Sequence, residues 1–570
     1  MVLLQEDVGK IAQDFEQLAL SLNPDKTSFM SFLDGLSKDV REQLSIELLP
    51  GKYLRAKETH KYLGITFDSN LKWSSHVSDL INKMKRDVNG LKRLKGSNWG
   101  NHPSDQLRLY TAVCRSKAEY MSHIIFWKND SITKPVQIVQ NAALRQALGA
   151  VKTTPIPSLH CVSGIVPLNI RVDQLSLKTY NKLFTIAPNT QMLANNLVNS
   201  NIGRRFKVAS KQKIGLSGIM NSRMINNVNV VHNVPVLMPS FKIAVNCHPT
   251  IPSIEKKSAL PPTILRVLAL EYITQHYPHH IKIYSDGSKT AGGVGAGFHC
   301  DADYVEVSRR LHHITTSFSA EIEGIRLATL HCRDYAHVGE AFVILTDSKS
   351  TVEIIKNIKM GNAIPPSLID LVSLLLELET LGKRVHIQWI PSHVGIQGNE
   401  RIDQIVKHAT LSGPIDESYA STFSDLNTKY DDWAKQEWQE QFLADTAEVG
   451  RWTRSIFGSV PPKPWFDRIK NFDIRTITTI NRILLGHGNT PHFKFLMRKR
   501  TNADCPYCAL PDPACCDLYH ILRDCEKTSS ALKACIEPLS DIVEFLKLNS
   551  TNPDQLRKIG DALQQSNIDV

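Results

Sequence analysis

The chain has 570 residues and a net charge of +11 at pH 7, with 42% hydrophobic and 22% charged residues. This length predicts several domains, and the composition excludes a largely disordered chain. The positive charge favours an anionic partner such as nucleic acid, although the excess is spread along the chain. The apolar stretches carry charges at helical spacing and the N-terminal residues lack a signal-peptide pattern, so we expect an intracellular protein without membrane contact.

The first half of the chain predicts an α+β start, a helical region and a connector. Residues 1–72 combine a helical pattern with a strand-and-hairpin pattern, and residues 73–204 are mostly amphipathic helix with Gly149 as a helix stop. Residues 205–279 are rich in proline and in short apolar pieces, which is typical of a connector between domains.

Residues 280–412 predict a single α/β domain. Three strand patterns precede a helix capped by Ser317 or Ser319, and a strand, two helices, a further strand and a closing helix follow. Three antiparallel strands followed by helical crossovers predict a mixed five-strand sheet with helices on its faces.

Four acidic residues of this domain lie where predicted strands end or helices begin: Asp286, Glu321, Asp347 and Asp403. Mg²⁺ prefers carboxylate oxygens, and two such ions can activate a water and stabilise the leaving oxygen of a phosphodiester. His393 lies on a predicted loop between a strand and a helix, and histidine is a common proton carrier near neutral pH. The pattern therefore predicts a metal-dependent nuclease.

Three further acidic residues nearby have no place in this pattern. We interpret Asp301 and Asp303 as solvated turn residues and Glu323 as a residue of a solvated helix surface.

The C-terminal part predicts helices over residues 425–500 and an amphipathic helical tail over residues 531–570. The helical region is rich in tryptophan, which either packs between helices or stacks on nucleic acid bases. We interpret four of these side chains as packing residues, namely Trp433, Trp438, Trp452 and Trp465.

Between these regions, residues 501–530 contain a Cys-x₂-Cys-x₁₁-His-x₄-Cys pattern formed by Cys505, Cys508, His520 and Cys525. A close cysteine pair on a turn and a His–Cys pair on a helix predict a tetrahedral Zn²⁺ site with three sulfur ligands and one nitrogen ligand. Cys515 and Cys516 are competing ligands, and buried cysteines without metal are the alternative.

Four ordered blocks of the α/β domain resemble type 1 ribonuclease H: SDGSK, SAEIEGIRLA, LTDSKS and PSHVGIQGNERID. The resemblance implies endonucleolytic hydrolysis of the RNA strand of RNA–DNA hybrids, which leaves 5′-phosphate and 3′-hydroxyl ends. It also implies two Mg²⁺ or Mn²⁺ ions, with RNA–DNA hybrid, RNA and DNA as partners.

The resemblance carries over to individual residues. Asp286, Glu321, Asp347 and Asp403 match the metal-binding carboxylates, and His393 matches the loop histidine that helps proton transfer and product release. Ser348 and Asn399 match positions near the substrate and the active-site loop.

The chain departs from the family at two points. Ile402 stands where the family has a small residue, and the segment KNIKMGN has only two lysines where the family has a dense basic handle. We therefore expect hybrid binding to depend on neighbouring domains.

The flanking segments resemble the reverse transcriptase of a jockey-like non-LTR retrotransposon. LSLNPDKTSFMSF, HKYLGITFDSNLKW and TTPIPSLHCVSGIVPL match the palm end, the primer-grip hairpin and the connection, and residues 74–150 match the thumb. The cysteine and histidine pattern resembles the zinc motif that follows ribonuclease H in such elements. The polymerase aspartates have no counterpart, so we expect no reverse transcription by this chain alone, unless fingers and palm act in trans.

Two functions follow from these patterns. The intact set of four acids favours a hybrid-specific ribonuclease. The alternative is a degenerate retroelement remnant that binds nucleic acid without cleaving it.

Overall fold

The computed structural model of the protein describes residues 2–32, 37–96, 99–125, 130–186, 246–335, 341–358, 366–467, 469, 472–508, 515–536, 541–568 and 570. They divide into a central unit, Ser176–Lys435, and a split unit that combines Met1–Leu175 with Gln436–Val570. The predicted connector lies outside the described residues up to residue 245, as do residues 187–204 of the predicted helical region. No helix in the described ranges is long and apolar enough to cross a membrane.

The N-terminal residues form two helices, then two small antiparallel sheets, and then further helices. The strands are Ser45–Leu49 (β1), Lys52–Arg55 (β2), Thr59–Tyr62 (β3) and Ile65–Asp68 (β4), and β1 pairs with β2 as β3 pairs with β4. The α-helices are Val2–Gln17 (α1), Lys38–Gln43 (α2), Ser74–Leu91 (α3), Pro103–Leu109 (α4), Ser116–Glu119 (α5), Ser122–Ile125 (α6), Asp130–Leu148 (α7), Ile156–Ser163 (α8) and Leu168–Ile186 (α9). Gly149 follows α7 with a φ of 68°, which confirms the predicted helix stop.

The central region combines strands and helices. Its strands are Asn246–His248 (β5), Ile281–Thr290 (β6), Gly293–Cys300 (β7), Glu306–Leu311 (β8), Ala341–Thr346 (β9) and Arg384–Trp389 (β10). Its helices are Pro262–His276 (α10), Ser317–Asp334 (α11), Lys349–Lys356 (α12), Pro366–Thr380 (α13), Gln397–Leu411 (α14) and Phe423–Asp445 (α15).

The C-terminal residues are helical. The helices are Arg451–Phe457 (α16), Ile474–Leu485 (α17), Pro491–Leu496 (α18), Leu518–Arg523 (α19), Glu526–Ile536 (α20), Ile542–Asn549 (α21) and Pro553–Gln565 (α22). Except for α18, they share one apolar core with helices α3, α7 and α8 of the split unit. Within that unit, the Asn481 side chain donates to the Leu148 carbonyl at 3.1 Å, and Arg482 Nε donates to the Gly149 carbonyl at 2.8 Å.

The central unit contains a mixed sheet of six strands in the order β5-β10-β9-β6-β7-β8. Strands β6, β7 and β8 are antiparallel neighbours, whereas β9 pairs in parallel with β6 and β10, and β10 pairs in parallel with β5. The prediction of five strands is therefore wrong by one. The additional strand lies in the predicted connector, and its three residues are too few to show a periodic pattern.

Helices cover both faces of this sheet at its centre. Phe342, Val343, Ile344 and Leu345 of β9 are all fully buried, which requires cover on both faces because successive side chains point to opposite sides. The prediction of Ser317 or Ser319 as the cap of α11 is wrong, because Thr316 is the cap and its hydroxyl accepts from Ser319 N. Helix packing on both faces of the sheet therefore fixes the positions of the strand ends.

Candidate active site

Strand register places two of the predicted acids side by side. Ser285 of β6 pairs with Thr346 of β9 in parallel, so Asp286 and Asp347 follow at neighbouring positions. The Trp389 Nε1 group donates to the Asp347 carbonyl at 3.2 Å and ties the end of β9 to β10. The parallel register of β6 and β9 therefore brings two carboxylates to one edge of the sheet.

Helix α11 adds Glu321 through a close contact between glycines and backbone. A Cβ at Gly324 would lie 2.6 Å from the Asp286 carbonyl oxygen, and one at Gly287 would lie 2.2 Å from Glu321 N. These distances are too short for any side chain, so glycine lets the helix approach the strand. The ligand oxygens of Asp286, Glu321 and Asp347 consequently lie within 4.8 Å of one another.

The start of α11 is held by Asp425, a buried carboxylate that the sequence did not indicate. One of its oxygens accepts from Thr316 N, Thr316 Oγ1 and Ser319 Oγ, each at 2.8 Å. The other oxygen accepts from Thr422 N and Thr422 Oγ1, each at 2.9 Å. Asp425 therefore positions the helix turn that carries Glu321, from a point more than 100 residues away along the chain.

Asp403 belongs to a neighbouring group rather than to this carboxylate cluster. Ligand atoms of His393, Glu400 and Asp403 lie within 4.8 Å of one another, and Asp403 Oδ2 accepts from Lys407 Nζ at 2.6 Å. Glu400 Oε1 accepts from Gly395 N at 3.2 Å and so holds the loop that carries His393. Sequence reasoning missed Glu400, although an acid three residues before Asp403 shares its helix face.

The remaining predicted residues lie around these two groups. The Asn399 side chain is hydrogen-bonded to Asp347, and Ser348 lies beside that carboxylate at the start of α12, within 2.8 Å of Thr351 Oγ1. Ile402 is fully buried in the apolar core of the central unit. The larger side chain at that position is thus accommodated without exposing it.

Burial and like charge disfavour three ionised carboxylates at this edge. Burial raises the pKa of Asp286 to about 7, and the charges of Asp347 and Asp403 add to the shift. Burial, followed by the charges of Asp286 and Asp347, raises the pKa of Glu321 well above its usual range. Burial also raises the pKa of Asp347, against the opposing hydrogen bond from Asn399.

The oxygens themselves fit a divalent cation. Asp286 Oδ2 and Glu321 Oε2 are buried and have no hydrogen-bond partner. A hard cation would satisfy both oxygens and relieve the repulsion between the carboxylates. The donor set of this cluster is therefore suited to Mg²⁺ or Mn²⁺.

These pKa shifts predict how stability depends on pH. The Asp286 pKa lies near 7 in the folded protein and near 3.8 when unperturbed, so folding takes up a proton. In a chelating buffer, stability should fall by on the order of 3 kcal/mol between pH 5 and 8 as that proton is lost. Denaturant titrations at several pH values measure this, with Asp286→Asn expected to show a smaller pH dependence and Mg²⁺ to restore stability at pH 8. An identical pH dependence in the variant would contradict the assignment.

Lys257 is a second residue that sequence reasoning missed. It lies in a short 3₁₀ turn before α10 and donates from Nζ to Ser392 Oγ beside His393. Its positive charge opposes the rise that burial causes in the pKa of Asp347. Arg266 of α10 lies next to the same loop, with its Cδ 3.6 Å from where a Cβ of Gly395 would be. The segment between β5 and β6 thus places two cations at the edge of the candidate active site.

A separate group of potential metal ligands occurs in the split unit. The ligand atoms of Cys505, Cys508, His520 and Cys525 lie within 4.8 Å of one another. Cys505 Sγ is 3.8 Å and Cys508 Sγ 3.9 Å from Cys525 Sγ, and Cys508 Sγ is 3.5 Å from His520 Nε2. The structure thus brings together all four predicted ligands, in an arrangement compatible with Zn²⁺.

The two competing cysteines lie in different surroundings. Cys515 is exposed, and its Sγ is 2.8 Å from His492 Nδ1. Cys516 is fully buried and hydrogen-bonded to Cys505, and burial is the largest cause that raises its pKa. Cys516 is therefore the neighbour of the cluster, and Cys515 points elsewhere.

The interpretations of the other acids and of the tryptophans have mixed outcomes. Asp301 and Asp303 are exposed, as expected. The prediction for Glu323 is wrong, because it is 3% exposed and its two oxygens accept from Arg326 at 2.6 and 2.7 Å. A cation one helical turn away satisfies the buried charge.

The packing interpretation is confirmed for tryptophans that are buried or partly buried in the cores, namely Trp433, Trp438, Trp452 and Trp465.

Part of the central unit matches a known protein family. Residues 278–410 match the family model for RNase H. The match covers less than a quarter of the chain and includes all five residues of the predicted nuclease pattern. A comparison with curated proteins found no match. The match supports an RNase H domain at residues 278–410, which agrees with the resemblance of this segment to ribonuclease H.

Proposed function

We propose that the protein is an endonuclease that hydrolyses the RNA strand of RNA–DNA hybrids with the help of divalent cations. The observation that carries this proposal is the meeting of Asp286, Glu321 and Asp347 within 4.8 Å, inside the segment that matches RNase H. Two of these carboxylates have a buried oxygen without a partner. Buried carboxylates without a counter-ion are energetically unfavourable, and groups with such shifted pKa values are concentrated at functional sites.

The residues around the cluster have distinct roles in this proposal. Mg²⁺ or Mn²⁺ bound by Asp286, Glu321, Asp347 and Asp403 would activate the attacking water and stabilise the leaving oxygen. Asn399 fixes the orientation of the Asp347 carboxylate. His393 is exposed on its loop and would move a proton to the 3′-oxygen of the leaving strand.

The substrate would be recognised through charge and sugar contacts. The protein would contact the phosphates of the hybrid independently of base sequence, and the 2′-hydroxyl would distinguish the RNA strand from the DNA strand. Lys257 and Arg266 lie where a phosphate near the His393 loop would be held. They would supply part of the positive charge that the segment KNIKMGN lacks.

We also propose that the domain works within a protein derived from a non-LTR retrotransposon. This rests on the resemblance of the N-terminal segments up to Leu168 to the end of a reverse transcriptase, and on the zinc-type cluster after the nuclease domain. Zn²⁺ bound by Cys505, Cys508, His520 and Cys525 would stabilise the C-terminal module.

The reaction itself tests the proposal. The purified chain should cleave hybrid but neither double-stranded DNA nor double-stranded RNA, in Mg²⁺ or Mn²⁺ and not in chelator. The products should carry 5′-phosphate and 3′-hydroxyl ends, which end-labelling with and without phosphatase identifies. Hybrid binding without cleavage would contradict the enzyme and leave the nucleic acid-binding remnant.

Replacing Lys257 by Ala should weaken hybrid binding more than it slows the chemical step. We expect KM for hybrid to rise several-fold with little change in kcat, and the slope of log(kcat/KM) against log salt to fall by about 1, as for the loss of one phosphate contact. Steady-state kinetics between low and moderate KCl measures this.

The matched control is Lys256→Ala, which removes the same charge one residue away. Equal effects of the two substitutions would show that only the net charge matters, and would exclude a specific contact by Lys257.

A further inference from the structure

A third group of potential metal ligands lies at the turn between β7 and β8. Cys300 ends β7, Asp303 lies in the turn, and His331 lies in the last turn of α11. Their Sγ, carboxylate and imidazole ligand atoms lie within 4.8 Å of one another. None of them belongs to the proposed nuclease site, and Asp303 was expected to be merely solvated.

The turn holds two of these groups in place. Cys300 N donates to the Val305 carbonyl at 2.9 Å, and Val305 N donates to Asp303 Oδ1 at 3.2 Å. The second carboxylate oxygen, Oδ2, lies 3.0 Å from His331 Nε2. The Cys300 thiol is fully buried and hydrogen-bonded to Asp303. Two of the three ligands are thus fixed by backbone contacts of a short turn.

The helix holds the third ligand. The His331 ring contacts the Phe298 ring at 5.0 Å and the Tyr335 ring at 5.6 Å between centroids. Its Nε2 is buried and, despite the nearby carboxylate, has no hydrogen bond of acceptable geometry. Buried polar atoms in folded proteins are nearly always partnered, so the unpartnered Nε2 of His331 indicates a bound ligand at this position.

We propose that Cys300, Asp303 and His331 bind a zinc-class divalent cation. Thiolate and imidazole select Zn²⁺ or Co²⁺ over Mg²⁺, and three protein ligands leave a fourth position for water. Tetrahedral coordination places ligand atoms roughly 3.2–3.8 Å apart, so the observed spread of up to 4.8 Å closes by small side-chain rotations.

This cation would be distinct from the catalytic ones. Ten residues of α11 separate His331 from Glu321, a distance of ~15 Å along the helix. The ion would fasten the β7–β8 turn to the C-terminal end of the helix whose N-terminal end carries Glu321. Its role would be structural and would not depend on whether the protein cleaves hybrids.

Metal content and cobalt spectroscopy of the full chain test the site. Protein saturated with Mg²⁺ is loaded with Zn²⁺ or Co²⁺ and dialysed. Cys300→Ser, His331→Gln and Asp303→Asn should each retain one fewer ion per chain than the wild type, and Cys300→Ser should lose part of the thiolate-to-cobalt absorption. Cys332→Ser removes another buried thiol of the same core and should retain the wild-type content.

Stability separates binding from misfolding. Asp303 is exposed, and Asn at that position keeps an oxygen for Val305 N, so this variant should fold even if the others do not. Zn²⁺ should raise the wild-type Tm of the central unit and have a smaller effect on Asp303→Asn. Equal metal content and equal Tm shifts in the two proteins would overturn the proposal and leave a metal-free network of thiol, carboxylate and imidazole.

Discussion

Asp347→Asn is expected to lower the rate of hybrid cleavage by on the order of 1,000-fold, because loss of one carboxylate removes several kcal/mol of cation-dependent stabilisation. Asp347 is half-buried beside Asp286 and Glu321 and accepts a hydrogen bond from Asn399. The asparagine side chain has nearly the same shape as that of aspartate but carries no negative charge. Single-turnover rates in saturating Mg²⁺ measure the effect, and hybrid affinity in Ca²⁺ should change by less than about tenfold.

The control for this experiment is Asp370→Asn, an identical change at an exposed position of α13 in the same unit. It should cleave hybrid at the wild-type rate. Cleavage by Asp347→Asn within a few-fold of wild type would mean that this carboxylate does not hold the cation, and would remove the main support for the proposed active site.

Cys525→Ser is expected to have the largest effect on stability. Cys525 is fully buried, and its Sγ lies within 4 Å of both Cys505 Sγ and Cys508 Sγ. Because zinc-binding free energy is coupled to folding in small modules, loss of one ligand should destabilise the split unit by several kcal/mol. Zinc content after dialysis and denaturant unfolding of the full chain measure the two consequences.

Cysteines outside the cluster provide the comparison. Cys515→Ser alters an exposed thiol of the same module that faces His492, and should change neither zinc content nor stability. If Cys516→Ser lost zinc and Cys508→Ser kept it, the ligand set would include the buried neighbour in place of the partly exposed predicted cysteine.

The sequence was sufficient to place the residues whose positions follow from local patterns. Asp347 follows an apolar strand pattern, and Asp286 follows a strand pattern in which apolar and polar residues alternate. Such strands pair in only a few ways, so the proximity of the two acids could be expected. The cysteine and histidine spacing is also local. A turn and a short helix bring its four ligands together almost regardless of the surrounding fold.

Other features depend on contacts between distant segments, which no local pattern encodes. Asp425 reaches Thr316 across more than 100 residues, and Lys257 reaches the loop beside His393 from a segment interpreted as connector. Strand β5 has three residues and forms only by pairing with β10. Glu323 was predicted to lie on the surface because no local pattern shows that tertiary packing buries it. The ion pair with Arg326 stabilises the buried charge.

The most direct test of the proposed function is cleavage of an RNA–DNA hybrid labelled on each strand in turn, with the full chain in Mg²⁺ or in chelator. We expect cleavage of the RNA strand alone, in Mg²⁺ alone. An intact RNA strand, with folded protein still bound to the hybrid, would contradict the proposed nuclease and leave a protein that only binds nucleic acid.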